Sequence, residues 1–307
     1  MLAWCLVAAA LALLIQHVYS GAAFSRQNSF RDRNNDGGDR GTERPLPVDP
    51  DLMAFSEEIY RLDQKGNAAL ETVDWAVDTR SRTGKLFSRM NQALLQKPTY
   101  AKLIALLDQY NPVMGQREEV TPAERRDQSS FLDAILATPV MRKTWDFLKS
   151  KGAAPSSSAD FKNLLSRIWF TVYKRRGQPD TSGFEHVFVG ELDGPSPNSP
   201  VSGFHNWVRY YLEERSGRVE YQRWKGQIDP DIFGMQFKWN GHSKMKSTIR
   251  IGESPEMSIA VLTTCFLLVP NNECKLRMGG VPVTVITHKW TTKNPNEFYV
   301  ASAYYDN

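Results

Sequence analysis

Two of the five histidines in this 307-residue chain, His186 and His205, stand nineteen residues apart within 182–214, SGFEHVFVGELDGPSPNSPVSGFHNWVRYYLEE, and each follows its own Ser-Gly-Phe. Imidazole exchanges its proton near neutral pH, so two histidines facing one another across a Pro- and Gly-rich loop could serve as an acid and a base. His186 falls in a run that reads as a strand, and His205 falls where a helix over about 204–215 should start. Free N–H groups and the dipole at a helix start attract an anion such as phosphate and lower the pKa of a histidine there. Either histidine alone would read as a half-buried residue satisfied by a neighbour. It is the pair that points to chemistry.

Cleaving RNA without an outside nucleophile asks for three groups. One takes the proton of the ribose 2′-hydroxyl, a second protonates the departing 5′-oxygen, and a cation steadies the phosphorane between them. Lys244 or Lys246, in HSKMKSTIRIGESPE, could be that cation, although a surface lysine without a role is the plainer reading of each. His242 and His288 raise a metal-binding alternative, but their spacing matches no standard ligand pattern. A Ser or Cys nucleophile beside a histidine, as a protein-cleaving hydrolase would need, carries no signature here.

The elements that must position these groups change in texture along the chain. Asp49-Pro50 reads as an N-cap and first helical proline, followed by Leu52, Phe55, Ile59 and Leu62 on one face, with Lys65-Gly66 closing the helix. Further helices are expected over about 68–77, 84–95 and 99–110. Thr121-Pro122-Ala123-Glu124 is a capping box opening the next. Pro139 starts another, ended by Lys151-Gly152, and a last one spans about 159–174. From Phe184 onward the runs FEHVFVGE, MQFKW, STIRIG, SIAVLTTCFLLV, PVTVITHKW and EFYVASAYY read as strands, interrupted only by the helix over 204–215. Helices first and strands later, without regular alternation, indicate an α+β domain over 49–307, with a helical part over about 49–175 and a β-rich catalytic part over about 180–307.

Composition fits an ordinary globular protein, with 41% apolar and 23% charged residues, and a formal charge of +4 permits a polyanionic partner without demanding one. The first twenty residues, MLAWCLVAAALALLIQHVYS, read as a secretory signal peptide, though without Lys or Arg ahead of the apolar run. Residues 21–48 are rich in Arg, Asp, Asn, Gly and Pro and read as a disordered linker. Loss of Cys5 with the signal would leave Cys265 and Cys274, nine apart around a Pro-Asn-Asn turn. In an oxidising compartment they are expected to pair across a hairpin, the alternative being two small buried thiols.

The runs SGFEHVFVGE, SGFHNWVRYYLEE, GESPE with the downstream LTTCFLLVP, and the terminal ASAYY resemble the EndoU family of poly(U)-preferring endoribonucleases. The resemblance extends upstream through TYAKLIALLDQYNP, SSFLDAILATPVM and LLSRIWFTVYKRR, and so covers nearly all of 51–307. It implies that His186 is the general acid, His205 the general base and Lys244, ten residues before Ser254, the catalytic lysine, with Lys246 the lesser choice. It further implies substrate contacts from Glu185, which precedes His186, from Thr248 facing the base, from Ser302 hydrogen-bonding it and from Tyr304 stacking on uridine. Stacking tolerates every base, so discrimination for uracil would have to come from hydrogen bonds by Ser302 and Thr248.

Where the family commonly reads Ser-Pro-Glu-Phe-Glu, this chain has SPEMS, with Met257 and Ser258 in the last two places. The loop between the histidines is also a few residues longer than usual. The expectation is therefore a secreted endoribonuclease that cuts single-stranded RNA at uridines and leaves a 2′,3′-cyclic phosphate and a 5′-hydroxyl. The resemblance adds a divalent cation, manganese, with no ligand set visible in the sequence, and a monomer that does not span a membrane once the signal is removed. The rival expectation is a secreted RNA-binding protein of the same fold with little turnover.

Overall fold

The computed structural model describes residues 49–228, 231–294 and 297–306, and the signal peptide and linker expected over 1–48 lie outside the described residues. The helical part begins with α1 (Pro50–Lys65), two short paired strands β1 (Trp75–Val77) and β2 (Phe87–Met90), and a 3-10 turn over Gln92–Gln96. It continues through α2 (Pro98–Leu107), α3 (Pro122–Leu136), α4 (Pro139–Ser150) and α5 (Ser158–Phe170). Proline opens α1, α2, α3 and α4, where the missing N–H costs nothing because the first-turn donors have no helical partner. The capping box of α3 is formed, with the Glu124 amide donating to Thr121 Oγ1 at 3.1 Å and the Thr121 amide donating back to Glu124 Oε2 at 3.3 Å.

The strands β3 (Tyr173–Lys174), β4 (Pro179–Thr181), β5 (Glu191–Leu192) and β6 (Val201–Ser202) are short pairs that frame the histidine segment, and α6 (Trp207–Arg215) follows them. Two three-stranded antiparallel sheets complete the fold. One orders β7 (Val219–Ile228), β8 (Ile232–Trp239) and β9 (His242–Arg250), and the other orders β10 (Glu273–Met278), β11 (Val281–Thr291) and β12 (Phe298–Tyr305). Between the sheets in sequence lies α7 (Pro255–Leu268). This is the α+β architecture expected, with helices gathered toward the N-terminal half and sheets toward the C-terminal half.

Four expected elements take a different form. The run SIAVLTTCFLLV is not a strand but the body of α7, opened by Ser254, whose hydroxyl accepts from the Met257 amide at 3.2 Å, and by Pro255. Every residue from Pro255 to Phe266 is buried, so the apolar run shows no helical stripe and its composition alone cannot separate buried helix from buried strand. Each large side chain there, Ile259, Leu262 and Phe266 among them, contributes about 2 kcal/mol by leaving water. FEHVFVGE holds a single π-helical turn, Glu185–Val189. The helices expected over 68–77 and 84–95 are replaced by the β1–β2 pair and the 3-10 turn. Trp75 and Val77 stand two apart, a strand spacing, and Trp75 is wholly buried with its indole N–H on the Ala69 carbonyl at 3.0 Å.

Cys265 and Cys274 are joined, with Cα atoms 5.5 Å apart. The bond links the last turn of α7 to β10 and does not cross a hairpin, because the segment before it is helical. Closing so short a loop stabilises the fold by about 3 kcal/mol in the chain-entropy picture.

Candidate active site

The turn that carries His186 is wound by its own neighbours. Ser182 receives the amide of Glu185 on its hydroxyl at 3.2 Å and the amide of His186 on its carbonyl at 3.0 Å, and Gly190, at φ +90°, returns its N–H to the Glu185 carbonyl at 2.9 Å. A second segment is laced to this turn through the backbone: Phe204 donates to the His186 carbonyl at 2.9 Å and His205 to the Val187 carbonyl at 2.8 Å. Gly203 makes the lacing possible. At φ +60° a Cβ on it would sit 1.8 Å from the His186 carbonyl oxygen, so only glycine fits.

His205 was expected in the first turn of a helix, yet α6 starts two residues later, with Asn206 as the N-cap accepting from the Arg209 amide at 3.0 Å. The helix-dipole argument therefore does not apply to His205. Its Nδ1 lies 3.0 Å from the carbonyl of Thr248 on β9. A carbonyl only accepts, so Nδ1 carries the hydrogen and Nε2 is left with its lone pair. Burial first, and then the nearby Lys244 charge, drive the pKa of His205 well below the ordinary histidine value.

His186 is anchored through the same nitrogen, but to a charged partner. Its Nδ1 lies 2.6 Å from Oε2 of Glu191 and 2.8 Å from Nη1 of Arg175. One ring nitrogen cannot both donate and accept, and the carboxylate is the stronger acceptor, so Nδ1–H donates to Glu191. The guanidinium reaches Glu191 Oε2 at 3.4 Å, the Tyr173 hydroxyl at 2.9 Å and the Ala301 carbonyl at 2.5 Å. Burial alone would push the Glu191 carboxyl up, but His186 and Arg175 outweigh it and hold the group below the usual carboxylate range. His186 itself is lowered by burial and by Arg175, with Glu191 opposing.

Glu191 and Arg175 are the site residues that sequence reasoning passed over. Glu191 lies inside the quoted SGFEHVFVGE run, five residues after His186. A strand puts positions i and i+5 on opposite faces, which hid the pairing, whereas one π turn brings them to the same side.

Lys244, half-buried, stands opposite Phe237 on β9 with its charge acting on both His186 and His205. The strand then bulges: Met235 faces Ser247 and Phe237 faces Lys244, leaving Met245 and Lys246 opposite Gln236. Both bulged residues are exposed, and Lys246 thus leaves the row that holds Lys244.

The expected substrate residues divide. Tyr304 on β12 stacks on the His205 ring, with centroids 5.1 Å apart and planes 18° from parallel, and His288 approaches it at 6.1 Å. Ser302, half-buried on the same strand, pairs with His288 in register. Thr248 is buried and its hydroxyl donates to the Tyr305 carbonyl, so what it offers the site is its main chain and not its hydroxyl. Glu185, expected to contact the substrate, is fully buried and faces Glu118.

Beneath His205 and Tyr304 a narrow cavity is closed by Glu253, Ser258 and Tyr305. Glu253 gathers the Tyr305 hydroxyl at 2.7 Å, the Ser258 hydroxyl at 2.7 Å and the buried Arg250 guanidinium at 3.1 Å, and so fastens the end of β12 beside the site. Ser258 is one of the two departures from the family's usual Ser-Pro-Glu-Phe-Glu, and its short hydroxyl is used entirely in this network. Among the described residues, no group of three or more His, Cys, Asp or Glu side chains converges as a metal's ligands would, so the residues present do not fit a manganese centre.

A family profile described as endoribonuclease XendoU matches residues 51–305. Uridylate-specific endoribonuclease D of Xenopus laevis is 38% identical over 274 residues, spanning 83% of this chain and 88% of that protein. The human uridylate-specific endoribonuclease is 36% identical over 271 residues, spanning 83% of this chain and 65% of its own length. The solved structure of XendoU, described as a splicing-independent snoRNA processing endoribonuclease, superposes with a TM-score of 0.70 at 30% identity over 84% of this chain and 97% of that one. With two histidines laced together through the backbone at its centre, the chain belongs to the XendoU endoribonuclease family.

Proposed function

We propose that this chain cleaves single-stranded RNA on the 3′ side of uridines, leaving a 2′,3′-cyclic phosphate and a 5′-hydroxyl. The observation that carries the reading is that both imidazoles donate from Nδ1 but to different acceptors, His205 to a neutral carbonyl and His186 to the Glu191 carboxylate. His205 gives its Nδ1 proton to a carbonyl and keeps a free lone pair on Nε2, and burial keeps it neutral at physiological pH. It is the base that draws the proton from the 2′-hydroxyl. Burial and Arg175 lower the pKa of His186 and the Glu191 carboxylate opposes them; a bound phosphodiester anion would add to that opposition and favour the imidazolium. His186 is the acid that protonates the departing 5′-oxygen.

The 2′-oxygen forms its bond to phosphorus as the bond to the 5′-oxygen breaks. Lys244 offsets the charge gathering on the phosphorane. Arg175 and Glu191 do not touch the substrate; they fix the ring of His186. Tyr304, whose ring lies on that of His205, is the aromatic that would stack on uracil, and Ser302 is the hydroxyl that would read the base edge. Manganese is proposed only as a promoter that acts with the bound RNA, and no proton or bond in the steps above depends on it. Export from the cell is proposed on the apolar leader and on the Cys265–Cys274 bond, which an oxidising compartment maintains.

The test uses an oligoribonucleotide with one uridine, its 2′-deoxyuridine counterpart, and the variants His205→Ala and His186→Ala. Cutting at the uridine with a cyclic-phosphate end, lost with the deoxy substrate and in both variants, is the expected result. An intact RNA in wild type, or cutting of the deoxy substrate, overturns the reading.

A further inference from the structure

Next to His186 in sequence, the carboxyl group of Glu185 meets that of Glu118. Glu185 is wholly buried, and neither of its carboxyl oxygens takes a hydrogen bond from any donor among the described residues. Oε2 of Glu118 is buried and equally without a donor. The two side chains lie against each other, so a hydrogen held by one of the two carboxyls would satisfy both.

Glu118 belongs to a strap, residues 111–119, that grips the histidine turn at several points. Met114 donates to the Leu192 carbonyl at 3.1 Å, Leu192 to that of Pro112 at 2.6 Å and Glu118 to that of Pro179 at 2.9 Å. Gly115 donates to Asp180 Oδ2 at 2.9 Å, and Oε1 of Glu118 takes the Asn111 amide at 3.2 Å. The bonds that leave the strap go to the chain on either side of the turn, and Glu118 reaches the turn itself through its carboxyl.

We propose that Glu118 is a positioning residue for His186: the Glu185 carboxyl keeps its proton and donates it to the Glu118 carboxylate, bolting the strap to the turn that carries the acid. The proton resides on Glu185 because that carboxyl is the more deeply buried and faces the ionised Glu191 as well. The groups around the pair are Glu191 from β5, Glu124 and Gln128 from α3, the buried hydroxyl of Tyr110 and the Ser182 hydroxyl on the Glu185 amide. Arg175 lies on the far partner, Glu191, at 3.4 Å. Loss of the proton to solvent would leave two anions in contact and near a third, Glu191, and drive the strap off the turn.

This inference rests on the reading of His186 as the acid, and two measurements keep the failure of one apart from the failure of the other. The first follows the ring resonances of His186 by NMR across neutral and alkaline pH in wild type and in Glu118→Gln. Wild type is expected to show a titration step in those resonances well above the ordinary carboxyl range. Glu118→Gln should lose it, because the amide can accept from the protonated Glu185 and donate to the ionised one.

The second measures RNA cleavage over the same range. Wild type should lose rate severalfold across that step, Glu118→Gln should lack that loss and keep only the falling limb set by His186, and Glu118→Leu should lose rate severalfold at every pH. A His186 resonance in Glu118→Gln that tracks wild type overturns the inference whether or not RNA is cut. A step that disappears in a protein that leaves RNA intact supports the inference and sinks the catalytic reading alone.

Discussion

Nδ1 of His205 lies 3.0 Å from the carbonyl oxygen of Thr248, forty-three residues further along the chain. That contact ties the protonation state of the base to the position of β9, and Lys244 on the same strand adds a repelling charge. The base is active when neutral, so the rising limb of kcat/KM against pH is set by the pKa of His205. That pKa lies well below 6.5, and activity should therefore be as high at pH 6 as at pH 7. In Lys244→Met the limb should move up toward the ordinary histidine value. A wild-type limb at or above 6.5 would contradict the assignment. The same shift bears on stability: the unfolded chain takes up a proton on this group near pH 6.5 and the folded chain does not, so stability falls as pH drops below that value.

The two lysines of the KMK run should separate cleanly. Lys244 acts on both imidazoles from within the row, while Lys246 sits on the exposed bulge. Lys244→Met is expected to lower kcat about 10²- to 10³-fold, the range for removing a donor aimed at developing charge. Lys246→Met should stay close to wild type. Equal losses in single-turnover cleavage would mean that the cation is not assigned by position.

Glu191→Gln tests what holds the acid. An amide cannot keep His186 charged as a carboxylate does, so the variant should lose on the order of 10²-fold in kcat and little in KM. Its falling limb should also shift to lower pH, because the imidazolium is no longer favoured. A loss confined to KM would place Glu191 in substrate binding instead.

Asp63 gives a stability prediction away from the site. Burial raises its carboxyl to about 7, against 3.8 for the exposed group, although Ser254 and Arg250 pull the other way. The folded state thus holds a proton that the unfolded state gives up, and the resulting loss of stability begins above pH 3.8 and is complete above about 7. Asp63→Asn should flatten the fall of Tm between pH 5 and pH 8. The gain at pH 8 should be a few degrees, at about 2–4 °C per kcal/mol for a chain of this size. A parallel pair of Tm curves would refute it.

Much of this molecule is legible in its sequence because local signals and tertiary needs agree there. The helices at Pro50, Pro122 and Pro139 announce themselves through a cap and a first-turn proline, and β8, β9, β11 and β12 through β-branched and aromatic runs. Reading failed where burial erased periodicity, as along 255–266, or where long-range pairing overrode local preference, as at Trp75. At the site, the histidines were visible as residue types, but their hydrogen-bond partners were not. Glu191 is reached only because 185–189 winds as a π turn, and the Thr248 carbonyl only because β9 passes beside Phe204. The Glu118–Glu185 pair joins residues 67 positions apart, and nothing in the local sequence links them.

The lacing of 204–205 onto 186–187 has a consequence for how this chain can be altered. The spacing of the two imidazoles is fixed by backbone bonds at the base of the loop and by the β5–β6 pair above them, not by the number of residues between. The tip of that loop, Pro195–Asn198, is exposed. It is therefore free to lengthen. An epitope or a fluorophore-bearing peptide spliced in at the tip would ride on the catalytic centre as a reporter without changing its geometry.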